Sequence, residues 1–221
     1  MTVPVLYADG ALLAVCKPAG VPSEPLSGTP GVADLLAGEY GPLWLVHRLD
    51  RETAGVMVLA RTREAAAALS REIADGGFQK TYLAVTDGVP ASPQGEYRDL
   101  LFRDAKKGRS FIVDRMRRGV REAVLTYETL AVCESRALVR VALQTGRTHQ
   151  IRVQFAGRGT PLCGDGRYGS KSKTPLALFS HRVCLRHPET GDEAVFTALP
   201  DGAQAPWNAF AAALTGGEEN G

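Results

Sequence analysis

The 221-residue sequence predicts an α+β domain. Three observations carry that prediction. Short strand-like runs outnumber helical ones. Neighbouring runs are often joined by tight turns, as in hairpins. The helical stretches fall at irregular intervals instead of alternating with single strands, which argues against an α/β order.

Taken in order, Val3 to Tyr7 and Ala11 to Lys17 read as strands joined at Asp9-Gly10, a hairpin signal. A loop rich in Pro, Gly and Ser runs from Pro18 to Pro30, and Gly31 to Tyr40 is a short helix. Leu43 to Leu49 is extended and ends in the polar break Arg51-Glu52-Thr53. Gly55 to Arg61 is an apolar strand. Thr62 is placed to cap a helix reaching Asp75, where Gly76-Gly77 stops it. Glu64, in the first turn, suits the helix dipole.

Phe78 to Thr86 is a strand whose period of two puts Phe78, Lys80, Tyr82 and Ala84 on one face, Leu83 and Val85 on the other. After a turn from Gly88 to Gly95 come strand-like stretches near Arg98–Phe102 and Ser110–Asp114. Ala123 to Val132 and Ala137 to Leu143 form a hairpin pattern. Arg147 to Ala156 is helical by pattern, Ala177 to Arg186 and Glu193 to Ala198 are strands, and Pro206 to Leu214 is a last helix. The pattern predicts one domain over residues 1–214, with a flexible tail at 215–221.

Composition excludes several classes. A hydrophobic fraction of 44% argues against disorder. The longest apolar runs, such as Ala54 to Ala60, are too short to span a bilayer. No basic leader with a small-residue cleavage site is visible, so a cytoplasmic protein is expected. Cys16, Cys133, Cys163 and Cys184 are too widely spaced for a paired zinc motif, and His47, His149, His181 and His187 do not complete one. No metal is expected. The formal charge is only +2, but residues 103–121 carry eight basic and two acidic side chains, and residues 136–186 carry ten and one. A basic face is predicted beneath a neutral total.

Four stretches could carry chemistry. His47-Arg48-Leu49-Asp50 places a carboxylate where an apolar run gives way to a polar loop. By spacing, Asp50 with Arg48 reads either as a structural ion pair or as a nucleophile or general base. Thr145-Gly146-Arg147-Thr148-His149-Gln150-Ile151-Arg152 joins a strand to a helix, with Arg147 in the first turn as an anion site and His149 and Arg152 on one face. Lys80-Thr81-Tyr82 sets a lysine and an aromatic on one strand face. Gly164-Asp165-Gly166-Arg167-Tyr168-Gly169 satisfies G-x-G-x-x-G literally, but lacks the flanking strand and helix a dinucleotide site needs, so it reads as a glycine turn.

Together these stretches resemble the RluA-type RNA pseudouridine synthases. His47-Arg48-Leu49-Asp50-Arg51-Glu52-Thr53-Ala54-Gly55 resembles that family's H-R-L-D-x-x-T-S-G motif. Lys80-Thr81-Tyr82 resembles its K-x-Y strand, and residues 145–152 its T-G-R-x-H-Q-I-R segment. Gly159-Thr160-Pro161-Leu162-Cys163-Gly164-Asp165 is similar to its G-H-P-I-x-G-D turn. Asp9 to Gly20 is similar to its opening D-x-x-x-x-V-x-K-P-x-G. The matches keep the family's order from about residue 5 to 200.

The resemblance implies a mixed, mostly antiparallel sheet with flanking helices and a central catalytic cleft. It implies isomerisation of a uridine in ribosomal or transfer RNA: the base detaches, turns, and rebonds through carbon 5. The atoms balance, so no cofactor is expected. By resemblance Asp50 is the catalytic aspartate, Tyr82 the stacking tyrosine and candidate proton acceptor, and Arg152 the basic partner of the aspartate. Arg48 helps displace the target nucleotide, and His47, Lys80, Arg147, His149 and Gln150 complete the substrate-binding set. A monomer without the family's small N-terminal RNA-binding domain is expected. Ala54, Gln154 and Thr160 depart from the usual Ser, His and His. A non-catalytic RNA-binding protein on the same fold is the alternative.

Overall fold

Asp9 closes the first hairpin. Its Oδ1 accepts the amides of Ala11 (2.8 Å) and Leu12 (2.7 Å) between β1 (Val5–Ala8) and β2 (Leu12–Lys17) in the computed structural model, which describes residues 2–215. Then follow α1 (Val32–Tyr40), β3 (Trp44–Leu45), β4 (Ala54–Ala60) and α2 (Arg63–Asp75). The ends of α2 are chemical. Thr62 Oγ1 accepts the Ala65 amide at 3.0 Å, and Gly76 takes the left-handed conformation (φ 80°) that ends the helix. The remaining elements are β5 (Gln79–Asp87), β6 (Gln94–Asp104), β7 (Arg109–Val113), β8 (Val120–Cys133), β9 (Arg136–Leu143), α3 (Gln150–Ala156), β10 (Leu178–Arg186), β11 (Glu193–Thr197) and α4 (Ala211–Thr215).

The chain divides into two compact units, each with its own sheet region. The first holds residues up to Thr81 together with Phe179–Pro200; the second holds Tyr82–Leu178 and the residues from Asp201 on. In the first, the strand order is β1-β2-β4-β10, with β11 on β10 and β3 on β4. Pairing is antiparallel except for β10 against β4, which is parallel. Leu12, Ala14, Val56, Val58, Leu69, Val183 and Phe196 form its buried core, against the apolar face of α2. In the second, the order is β5-β9-β8-β6-β7, with antiparallel β6–β7, β6–β8 and β8–β9 pairs. There α3 buries Val153 against Leu101, Ala123 and Tyr168, while Phe155 meets Tyr97 and Tyr127 edge-on at 5.1 and 5.6 Å. The fold is thus α+β with mixed, mostly antiparallel sheet.

Gly55, at the start of β4, shows why one motif position tolerates only glycine. Its φ is 114°, and a Cβ there would stand 2.3 Å from the Ser180 carbonyl oxygen of the parallel neighbour β10.

Two elements differ from their prediction. The helix expected from Arg147 begins only at Gln150. The side chain of Gln150 takes the Arg147 amide (3.0 Å) and the Thr145 hydroxyl (2.8 Å), holding residues 145–149 as a turn, and His149 sits at φ 56°. The helix expected over Pro206 to Leu214 splits into a 3₁₀ turn at Trp207–Phe210 and the short α4. The predicted tail lies, from residue 216, outside the described residues. Among the described residues no helix is long and apolar enough to cross a membrane.

Candidate active site

In the first unit, the segment around Asp50 is pinned on both sides. Before it, Ser23 Oγ donates to the Leu49 carbonyl (2.8 Å) and accepts the Leu49 amide (3.0 Å). After it, the Arg51 carbonyl accepts the Gly20 amide (2.8 Å), and Arg51 Nε donates back to the Gly20 carbonyl (3.0 Å). The Asp50 carbonyl accepts the Thr53 amide at 3.0 Å, closing a turn. Asp50 itself is half-buried.

Beneath this turn lies Lys17, fully buried at the end of β2. Its ammonium donates to three carbonyls: Val21 (2.7 Å), Pro18 (3.0 Å) and Arg51 (3.2 Å). Those three acceptors match its three protons, which makes a buried ammonium tolerable. Burial pushes its pKa down to about 8, while the carboxylates of Asp50 and Glu52 pull the other way. Lys17 therefore ties the Pro18–Val21 loop to the Asp50 turn and shares an electrostatic field with Asp50.

The other first-unit residues differ in character. His47 is buried. Its Nε2 accepts the Val58 amide at 2.9 Å, and its ring lies 5.0 Å from that of Phe78. Burial, helped by Lys80, holds its pKa down near 3, so the ring is neutral and acts as a support of β4. Arg48 is exposed and ion-paired with Glu24. Lys80 is half-buried, its ammonium 5.7 Å from the Phe78 ring centroid, and burial lowers its pKa.

In the second unit, Tyr82 is buried on β5, 6% exposed. Arg152, on α3, forms a two-pronged pair with Asp165: Nε to Oδ2 at 2.7 Å and Nη2 to Oδ1 at 2.9 Å. Its guanidinium also lies over the ring of Tyr168, 5.4 Å from the centroid. His149 Nδ1 sits 3.0 Å from the Tyr168 hydroxyl, which also accepts the Ser110 amide at 2.8 Å. Arg147 is exposed and lies in the turn ahead of α3, not in its first turn, and its Nε donates to the Glu122 carbonyl at 2.8 Å. Gln150 is buried and spends its amide on Thr145, Arg147 and the Val124 carbonyl (3.1 Å), so it shapes the turn. Gly166–Tyr168 is a 3₁₀ turn.

The departures from the family pattern have structural settings. Gln154 is fully buried, and its Nε2 donates to the Asp99 carboxylate (2.7 Å) and the Tyr97 carbonyl (3.1 Å). Thr160 is buried with its hydroxyl on the Phe155 carbonyl, and Ala54 opens β4. Among the described residues no group of three or more His, Cys, Asp or Glu could hold a metal ion.

A family model described as RNA pseudouridylate synthase matches residues 11–157, a span holding Lys17, Asp50, Tyr82 and Arg152. The chain belongs to that family. It is an RNA pseudouridine synthase of the RluA type, an intramolecular isomerase that acts on RNA. It is 34% identical over 208 residues to an uncharacterized RNA pseudouridine synthase of Bacillus subtilis, covering 89% of this chain and 68% of the relative. It is 31% identical over 218 residues to the ribosomal large subunit pseudouridine synthase D of Zymomonas mobilis, covering 88% and 68%. The solved structure of human RNA pseudouridylate synthase domain containing 4 superposes with a TM-score of 0.77 at 26% identity, covering 96% of this chain and 93% of that one.

Two residues of this synthase were not singled out by sequence reasoning. Lys17 stood inside a matched motif, and an apolar strand ending in Lys-Pro was its only mark. Asp165 stood in the glycine turn, thirteen residues from the arginine whose fork it holds.

Proposed function

We propose that this synthase isomerises uridine in large-subunit ribosomal RNA, with Asp50, Tyr82 and Arg152 carrying the chemistry. The RNA class rests on the Zymomonas relative, which is described as a large-subunit enzyme. The roles rest on the motif match, and the observation that supports Asp50 most is its turn, stitched on both sides and floored by Lys17.

Three routes use one carboxylate: attack on the sugar, attack on the base, or removal of a sugar proton. Each requires the carboxylate to be held still while the base leaves, turns and rebonds. The bonds to residues 49 and 51 supply that stillness. Arg152 supplies positive charge in a fixed plane, because Asp165 locks its fork. Tyr82 offers a ring for the base and a hydroxyl for the proton on carbon 5. Extruding the base from its stack costs a few kcal/mol. Arg48 can fill the gap, since its exposed bond to Glu24 is worth only about 0–1 kcal/mol and exchanges readily. Arg147 and Lys80 are assigned to the RNA, and His149 to the wall beside Tyr168. His47 and Gln150 serve substrate binding indirectly, by holding the strand and turn that carry those groups.

Chemical mapping of pseudouridine in ribosomal and transfer RNA, from cells with and without this protein, tests the proposal. A large-subunit uridine should lose its modification and regain it with the wild-type chain. A change confined to transfer RNA contradicts the RNA class, and an unchanged map contradicts the enzyme reading.

A further inference from the structure

The second unit holds a cluster of arginines that the catalytic motifs do not explain. Arg103 on β6 stands opposite Ser110 of β7, and Arg121 on β8 stands opposite Leu101 of β6. The turn before α3 brings Arg147 to the same place, since its Nε is bonded to the carbonyl of Glu122, the neighbour of Arg121. The three residues line one hollow of about 210 Å³, together with Gly119, Gly146 and Thr148.

What marks the hollow is that three guanidinium groups share it. Arg48, Arg98, Arg136, Arg140, Arg152 and Arg158 each have a carboxylate partner. Among the described residues, no carboxylate is ion-paired with Arg103, Arg121 or Arg147. Three cations facing one concavity repel one another until an anion enters. Planar forks suit the oxygens of a phosphate, and a hollow of about 210 Å³ has room for one.

We propose that Arg103, Arg121 and Arg147 form a binding site for one backbone phosphate of the RNA. The site rests on the RNA reading above and adds Arg103 and Arg121 to the groups that hold the substrate. It positions the strand and carries no base information.

The test uses the whole chain and a labelled single-stranded oligouridylate, with Kd measured across a salt series. The Arg103→Gln/Arg121→Gln pair should weaken binding about tenfold at low salt and flatten the log Kd against log salt slope by about 0.7, one single-strand phosphate. It should raise KM for the RNA substrate and leave kcat within about twofold. Arg63→Gln/Arg71→Gln on α2 removes the same charge and should leave slope and affinity as in the wild type. If wild-type RNA binding is salt-dependent and the Arg103/Arg121 variant matches it, the site is refuted and the RNA reading stands. Equal weakening in both pairs reduces the effect to bulk charge and also refutes the site. A wild-type chain with no salt-dependent RNA affinity overturns both.

Discussion

Arg152 and Asp165 form a bidentate ion pair in the interior, with Nε–Oδ2 at 2.7 Å and side chains only 4% and 0% exposed. Removing one partner of such a pair takes two charge-assisted hydrogen bonds from a buried guanidinium, at a cost of about 3–5 kcal/mol. Asp165→Ala should therefore lower Tm by roughly 10 °C and abolish turnover. Replacing both partners with apolar residues, as in Arg152→Met/Asp165→Leu, should restore most of the lost Tm without restoring activity. Calorimetry and a pseudouridine assay on the two variants separate stability from chemistry.

Lys17 predicts a loss of a different kind. Lys17→Met strips three carbonyls, that of Val21 fully buried, of their donor and loosens the turn that holds Asp50. We expect kcat to fall at least tenfold with KM for the RNA changing less than threefold. The wild-type Lys17 binds fewer protons folded than unfolded between its folded pKa of about 8 and its ordinary 10.5. Stability should thus rise with pH across that window relative to Lys17→Met, as chemical denaturation at several pH values will read.

Gly55→Ala forces a methyl against the Ser180 carbonyl at a φ of 114°. A loss of about 3 kcal/mol or more, or insoluble expression, is the expected outcome. Gly10→Ala meets no atom within 4 Å and should cost less than about 1 kcal/mol. Parallel denaturation curves settle the contrast.

Asp9 makes the acid limb of stability specific. Desolvation pushes its pKa up, but bonds from Tyr7, Leu12, Ala11 and His187 outweigh it and hold the carboxyl near 2, below its ordinary 3.8. A depressed carboxyl stabilises the fold above its unfolded pKa, and that contribution is lost as pH falls from about 4 toward 2. The amount is roughly 2 kcal/mol. Asp9→Asn should be less stable than wild type at pH 7 and should show a shallower decline over that acid window.

Much of this was legible in the sequence where the signal is local. Thr62 and Gly76 bound α2 because both act within a turn of their own position. The Asp9-Gly10 hairpin is equally self-contained. The start of α3 was not legible, because whether Gln150 continues a helix or folds back on Arg147 depends on Val124 from another strand. The motifs showed which residues to suspect, but not what holds them. Lys17 reaches Arg51 across 34 positions and Gln154 reaches Tyr97 across 57, and no periodicity encodes such meetings. His47 reads as a substrate contact because its motif is functional, and no spacing in the sequence foretells that its Nε2 takes the Val58 amide.

We propose above all that Asp50 performs the isomerisation. The most direct measurement compares purified wild type and Asp50→Asn on the same RNA, scoring pseudouridine formed and RNA bound. Product should be undetectable with the variant while its RNA Kd stays within threefold of wild type. Turnover by Asp50→Asn at even a tenth of the wild-type rate would contradict the account.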